Sequence, residues 1–271
     1  MVLELIVCAI AAALAVTGSL TFWPVHHGYE FYIPVVLAIA GYILGIIFIF
    51  CLVYLFGLPV KNKKDVKRPL KWSRFWLTQG MSFINHHALI LVKFIGKEKI
   101  PQNQRFLLVC NHRSNFDPLV TAPKLVKHDV AFITKQSNMK IPLANNFFNS
   151  VLYIGVDRSD LMQSLQAMKR ATDIIMNDSA SIAVYPEGTR QQKEIIGEFH
   201  EGVFNIAIKA HCPIVVMTSK NTDKVHKRFP WRFTKVIQEV VAVIPPEEFD
   251  TLPAKTVSDN VREMMIENLT K

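Results

Sequence analysis

Residues 105–119 read RFLLVCNHRSNFDPL, an apolar run of strand length that ends in a histidine and, five positions later, an aspartate. Positions i and i+5 sit roughly 140° apart on a regular helix, and on a strand they point to opposite faces. His112 and Asp117 can therefore act together only if the chain between them turns. Pro118 favours a helix beginning there with Asp117 as its cap, which would supply that reversal. Taken alone, the stretch leans toward a plain N-cap beside an incidental loop histidine.

The surrounding chain decides the fold class. From residue 100 onward, short apolar runs alternate with helix-like stretches, the pattern of an α/β domain. RFLLVC (105–110), VAFIT (130–134), SIAVYP (181–186), PIVVM (213–217) and VIQEVVAVI (236–244) read as strands. Residues 159–178 read as an amphipathic helix with Leu161, Leu165, Met168, Ile174 and Ile175 near one face. FNIAIKAH (204–211) reads as a second helix and 256–269 as a third, the latter with Val257, Val261, Met264 and Met265 at helical spacing. The expected architecture is an α/β fold with a central sheet flanked by helices over residues 100–271.

Charge and hydropathy set the first sixty residues apart. All 31 Lys and Arg lie after residue 60, and residues 1–60 carry only Glu4 and Glu30. Residues 61–271 thus hold 31 basic against 20 acidic residues, a formal +11. A basic body behind an uncharged apolar stretch suits a protein held against anionic headgroups, and makes nucleic acid the weaker choice of partner. Residues 2–22 are long enough to cross a hydrocarbon core of ~30 Å as a helix, and the opening MVLE lacks the basic start of a signal peptide. Residues 34–58 form a second apolar segment, with Pro34 suited to a first helical turn. The link WPVHHGYE has no Lys or Arg, whereas KNKKDVKRPLKWSR (61–74) has seven basic residues and one acidic. The positive-inside rule then places both ends of a 1–60 hairpin on the cytoplasmic side. Gly41 and Gly45 form a GxxxG that suits close helix packing, although chance in an apolar run accounts for it equally well. Residues 61–99 are expected to be a basic juxtamembrane segment with a helix at 72–95, lying at headgroup level or packed on the body.

Cys8, Cys51, Cys110 and Cys212 all sit in apolar runs with no CxxC pair, so they read as small hydrophobes. The neighbouring pairs His26-His27 and His86-His87 face different ways on any regular element. No metal is expected.

Three stretches carry reactive groups just past strand ends, where α/β folds place their sites. In NHRSNFD, His112 is the residue type matched to proton transfer near neutral pH, and a carboxylate on one ring nitrogen leaves the other free to accept a proton. In YPEGTR (185–190), Gly188 allows close backbone approach, Thr189 offers a hydroxyl and Arg190 can grip a phosphate bidentately. Glu187 could anchor Arg190, orient an amide or neutralise part of the basic site. In YIGVDRSD (153–160), Arg158 follows a short strand, as Lys135 follows 130–134. Lys135, Arg158 and Arg190 together could converge on an anionic headgroup. Cys110 shares a face with His112 if the strand continues, which leaves a weaker cysteine-nucleophile reading.

These three blocks in this order resemble the glycerolipid acyltransferase family, in particular bacterial 1-acylglycerol-3-phosphate acyltransferases. NHRSNFD matches its NH-x4-D block, IGVDR ending at Arg158 its second block, and Glu187 to Arg190 its EGTR block. PIVVM (213–217) matches a looser fourth, and the resemblance covers about residues 70–245. It implies an acyltransferase-type fold, with His112 as general base and Asp117 as its orienting partner. Glu187, Gly188 and Thr189 would shape the acceptor pocket, and Lys135, Arg158 and Arg190 would hold the acceptor's phosphate. It further implies an acyl thioester donor (coenzyme A or acyl carrier protein) as substrate, no cofactor or metal, and no covalent acyl-enzyme. The expected reaction is acylation of lysophosphatidic acid to phosphatidic acid at a bacterial cytoplasmic membrane, with the catalytic domain on the cytoplasmic side.

Two departures bear on the acceptor. Gln191 follows EGTR where the family often has serine, and FHEG (199–202) places His200 where the family often has lysine. Another lysophospholipid is therefore an alternative acceptor. Two rival readings also stand: a non-catalytic membrane-docking protein, and thioester or lipid hydrolysis by the same pair. The basic, aromatic stretch KVHKRFPWRF (224–233) serves as an interfacial contact under any of them.

Overall fold

The computed structural model describes residues 2–22, 32–61, 63, 66–191 and 196–271. The link 23–30, with its His26-His27 pair, and residues 62, 64 and 65 of the basic stretch lie outside the described residues. The chain forms two compact units, residues 1–60 and 61–271.

The first unit pairs α1 (Val2–Phe22) with α2 (Tyr32–Gly57). Residues 33–60 are long and apolar enough to cross a membrane, and the apolar run of α1 covers 2–18. The helices are antiparallel: a Cβ on Gly41 would lie 2.9 Å from the Ala11 Cα, and one on Gly45 would lie 3.1 Å from the Val7 Cα. The GxxxG thus lies in the helix contact, where small residues let backbones approach.

The second unit is built on a seven-stranded sheet of order β1-β7-β6-β2-β5-β3-β4. Its strands are β1 (Ile90–Ile95), β2 (Leu107–Cys110), β3 (Val130–Lys135), β4 (Ile154–Val156), β5 (Ser181–Val184), β6 (Ile214–Lys220) and β7 (Thr234–Ile244). Neighbours run parallel except β6 and β7, which are antiparallel. The central strands β2 and β5 are buried throughout, as continuous apolar runs in a sheet covered on both faces should be. The longer helices are α3 (Lys71–His87), α6 (Leu161–Met176) and α9 (Ala254–Thr270), and short ones are α4 (Phe116–Thr121), α5 (Asn145–Phe148), α7 (Asn205–Ala210) and α8 (Val225–Arg228).

Two expectations change here. The helix read over 72–95 stops at His87, and ILVKFI becomes edge strand β1, in register with β7 from Ile90↔Thr234 onward. Leu89 takes a left-handed φ of 55°, which breaks the helix, and the branched and aromatic side chains that follow fit a pleated surface. Helix α3 buries Trp76, Leu77, Met81 and Phe83, and Asn85 donates to the Leu119 carbonyl at 2.8 Å, so it packs on the body. The second change concerns α6. Asp160 caps it by accepting from the Gln163 N–H at 3.0 Å, and its second half buries Ala167, Ala171, Ile174 and Ile175. Leu161 and Leu165, expected on that face, are instead exposed, and burial along α6 begins at Ala167.

A buried polar chain ties β7 to the segment after β2. Gln238 Nε2 donates to Thr121 Oγ1 at 2.6 Å, and Thr121 Oγ1 donates to the Asp117 carbonyl at 2.7 Å. Thr121→Val keeps the shape but strands the buried Gln238 amide, and is expected to cost about 1–3 kcal/mol in urea unfolding. Adding Gln238→Leu should recover part of that loss, since both polar partners are then gone.

Candidate active site

Because β2, β3, β4, β5 and β6 are mutually parallel, their carboxyl ends share one edge of the sheet, and every reactive stretch leaves from it. Asn111, the first residue after β2, is fully buried. Its amide donates to the Ser219 carbonyl at 3.1 Å and its Oδ1 accepts from the Ser219 N–H at 2.7 Å. That paired contact pins the end of β2 to β6 and fixes where His112 emerges.

The chain then turns through Arg113–Asn115 into α4. Asp117 lies in the first turn of this helix, while Asn115 occupies the cap position, so Asp117 does not cap its own helix as expected. Its side chain reaches back instead. Oδ2 accepts from His112 Nδ1 at 2.9 Å, from the Arg113 N–H at 2.7 Å and from the Ser114 N–H at 2.7 Å. The carboxylate has no exposed surface. Three donors converging on one oxygen assign the imidazole proton to Nδ1, which leaves Nε2 as the ring's acceptor. Tyr185 stacks on the imidazole at 4.6 Å between centroids and holds its plane.

Glu187 settles among its three possible roles as an orienter of amides. Oε1 accepts from the His112 N–H at 2.6 Å and Oε2 from the Gly197 N–H at 2.9 Å. Burial raises its pKa, opposed by those two N–H groups and by the nearby His112. The Gly197 loop is held in turn by Arg262 of α9, whose Nε donates to the Gly197 carbonyl at 2.9 Å. Read in sequence, Arg262 is one charge on the polar side of a helix, and nothing local marks its link to Glu187.

Gly188 has a left-handed φ of 67°, and a Cβ there would lie 2.6 Å from His200 Nε2 and 3.6 Å from the Arg158 Cζ. The glycine is what lets the His200 ring and the Arg158 guanidinium gather over this turn. Asp157 shapes the turn that presents Arg158, accepting from the Ser159 hydroxyl at 2.7 Å and the Ser159 N–H at 3.0 Å. Those bonds, with Lys135 nearby, hold Asp157 below the usual carboxylate range. Lys135 is in register with Val156, next to Asp157. Thr189 and Arg190 are exposed at the same edge, and the Gln191 side chain donates to Thr189 Oγ1 at 3.4 Å. Of the expected cations, then, Arg158 lies directly over Gly188, while Lys135 and Arg190 stand on the same edge.

Cys110 is buried, and its thiol pKa is pushed well up by burial, with Asp117 and Glu187 adding to the rise. A thiol that stays protonated is a poor nucleophile, which removes the cysteine reading. Among the described residues, no group of three or more His, Cys, Asp or Glu is placed to hold a metal ion.

Glu187 has a raised folded-state pKa, so its ionisation opposes folding as pH rises from its ordinary 4.5 toward the raised value. Glu187→Gln removes that titration. The stability margin of the wild type over Glu187→Gln should therefore be largest at low pH and shrink as pH rises through this window, followed by thermal unfolding across pH.

The Acyltransferase family model matches residues 91–220. Among curated relatives, a 1-acyl-sn-glycerol-3-phosphate acyltransferase of Haemophilus influenzae is 28% identical over 62% of this chain and 68% of its own length. The enzyme of that name from Limnanthes douglasii is 25% identical over 64% of this chain, which spans 60% of the plant protein's length. A probable 1-acyl-sn-glycerol-3-phosphate acyltransferase of Mycoplasma pneumoniae is 31% identical over 48% of this chain and 49% of its own. The crystal structure of the acyltransferase PlsC from Thermotoga maritima shares the fold, with a TM-score of 0.56 at 20% identity over 82% of this chain and 96% of that one. The NH-x4-D, IGVDR and EGTR turns of this sheet edge all fall inside the segment over which the chain is similar to the Acyltransferase family.

Proposed function

We propose that this chain transfers a fatty acyl group from an acyl thioester to the free hydroxyl of 1-acylglycerol-3-phosphate, giving phosphatidic acid. The observation that carries this reading is the His112–Asp117 pair, in which a fully buried carboxylate accepts the Nδ1 hydrogen and leaves Nε2 as base. The names of the curated relatives support the same acceptor.

In the proposed reaction, His112 Nε2 takes the proton of the glycerol hydroxyl as its oxygen attacks the thioester carbonyl carbon. Asp117 stabilises the imidazolium that forms. Collapse of the tetrahedral intermediate breaks the C–S bond, and the departing thiolate, of coenzyme A or acyl carrier protein, receives the proton from Nε2. No group on the protein carries the acyl chain in this scheme. Arg158 and His200 over Gly188, with Lys135 and Arg190 beside them, would engage the acceptor's headgroup. Glu187 acts through the backbone of His112, whose N–H it receives. The apolar helices α1 and α2 would form a hairpin anchor with both ends on the cytoplasmic side, as the distribution of Lys and Arg favours.

His200 favours a second acceptor reading within the same chemistry. An imidazole beside Arg158 gives a less permanently charged headgroup site than a lysine would, which suits other lysophospholipids. Turnover across a panel of lysolipids in detergent, with both thioester donors, separates these.

Thiol release that depends on added lysophosphatidic acid tests the reaction itself. His112→Ala should lower it roughly 10²–10⁴-fold, the range that positioned general-base catalysis contributes, while the protein stays with the membrane fraction. Asp117→Asn should fall in the same direction, because a neutral amide cannot stabilise the imidazolium as the carboxylate does. Wild-type turnover in His112→Ala would refute the mechanism. Thiol release without acceptor would point to hydrolysis, and none from the wild type to a docking protein.

A further inference from the structure

The segment from Phe229 to Phe233 has no role in the site described above, yet it exposes three aromatic side chains in five residues. Trp231 is 88% exposed, Phe233 60% and Phe229 48%. Folding alone gives no reason to leave them in water, where each carries unfavourable apolar surface. The sequence around them is strongly basic. Lys224, Lys227, Arg228, Arg232 and Lys235 fall within residues 224–235, and that stretch contains no Asp or Glu. Aromatic rings between cations are the composition of a segment that enters an anionic lipid–water interface, with rings at the acyl boundary and cations at the phosphates.

The topology places this segment beside the site. Strand β6 is parallel to β2, and β7 returns antiparallel from Thr234, with Lys220↔Ile237 in register. The connection 221–233 therefore emerges from the same sheet edge as His112. Strands lie about 4.8 Å apart, so β7, two positions from β2, puts this loop roughly 10 Å from it across the sheet. The loop is braced toward the site: Asp223 pairs with Arg113 at 3.6 Å, and buried Val225 packs with Val120 of α4, the helix that bears Asp117. On the other side, β4 lies three positions from β2, and just beyond it the exposed first turns of α6 carry Leu161 (73%), Met162 (64%) and Leu165 (56%). Apolar side chains thus flank the catalytic edge on both sides, with the cations Lys135, Arg158 and Arg190 between them.

We propose that the carboxyl edge of the sheet is itself a docking face for an anionic bilayer, with Phe229, Trp231 and Phe233 as its inserted anchor. This contact is separate from the N-terminal helices. It sets the height and orientation of His112 over the lipid surface, so that an acceptor hydroxyl at headgroup level meets the imidazole. Its kinetic consequence rests on the acyl-transfer reading, but the contact itself does not.

The test uses the full chain reconstituted in phosphatidylcholine vesicles with or without phosphatidylglycerol. The fluorescence difference between the wild type and Trp231→Phe isolates Trp231 from the other three tryptophans. In vesicles with phosphatidylglycerol, that signal should shift to the blue, lose access to aqueous acrylamide and be quenched by lipids brominated near the top of the acyl chain. The effect should weaken without the anionic lipid. A Trp231 signal as open to acrylamide with vesicles as without overturns the proposal, and would leave the loop to a protein partner. This readout holds whether or not the chain transfers acyl groups. For turnover, Phe229→Ser/Trp231→Ser/Phe233→Ser should raise the KM for vesicle-borne acceptor roughly tenfold, as lost interfacial partitioning would. Its kcat, and its turnover of a monomeric short-chain acceptor in solution, should stay at the wild-type level. An equal loss on both acceptors would assign the loop to the structure of the site and overturn the proposal.

Discussion

A carboxylate sealed from water and held by three N–H groups on one oxygen is the constraint around which the carboxyl edge of the sheet is arranged. Burying the Asp117 side chain would be strongly unfavourable without those donors. Two of them are the backbone N–H groups of Arg113 and Ser114, which ties the turn after β2 to the carboxylate. The third is the His112 ring, and its orientation follows from the same bonds. The imidazole is thus positioned by the requirement that a buried charge be satisfied.

The rest of the edge supports that turn from several directions. Asn111 locks the end of β2 to β6, Glu187 receives the His112 N–H from the β5 side, and Thr121 with Gln238 fixes α4 to β7. Arg262 extends the network to the C-terminal helix through the Gly197 carbonyl. Elements distant in the sequence therefore bear on one imidazole. The edge is densely hydrogen-bonded around His112, and its flanks are apolar and exposed.

Much of the body was legible because continuous apolar runs leave few alternatives. The strands at 105–110, 130–134, 181–184 and 213–217 followed from buried runs of strand length. The stretch 72–95 misled because aromatic and aliphatic residues suit a packed helix and an edge strand equally. A left-handed turn at Leu89 and pairing with β7 decided between them, and β7 lies some 140 residues further on. The apolar positions of α6 were read as one face, but only its second half, from Ala167, is buried.

What the sequence determined by itself was the chemistry available and its place just past strand ends: a histidine and aspartate across a turn, a glycine and cations in two further turns, and a basic body behind apolar helices. Those features depend on residue type and on local periodicity, which neighbours along the chain express. Which Glu187 role is realised, that His200 lies over Gly188 beside Arg158, that Arg262 reaches the Gly197 loop, and that Trp231 stands on the same edge as His112 were decided by tertiary structure alone. Each depends on the lateral order of the strands, set by burial and register between segments far apart in sequence.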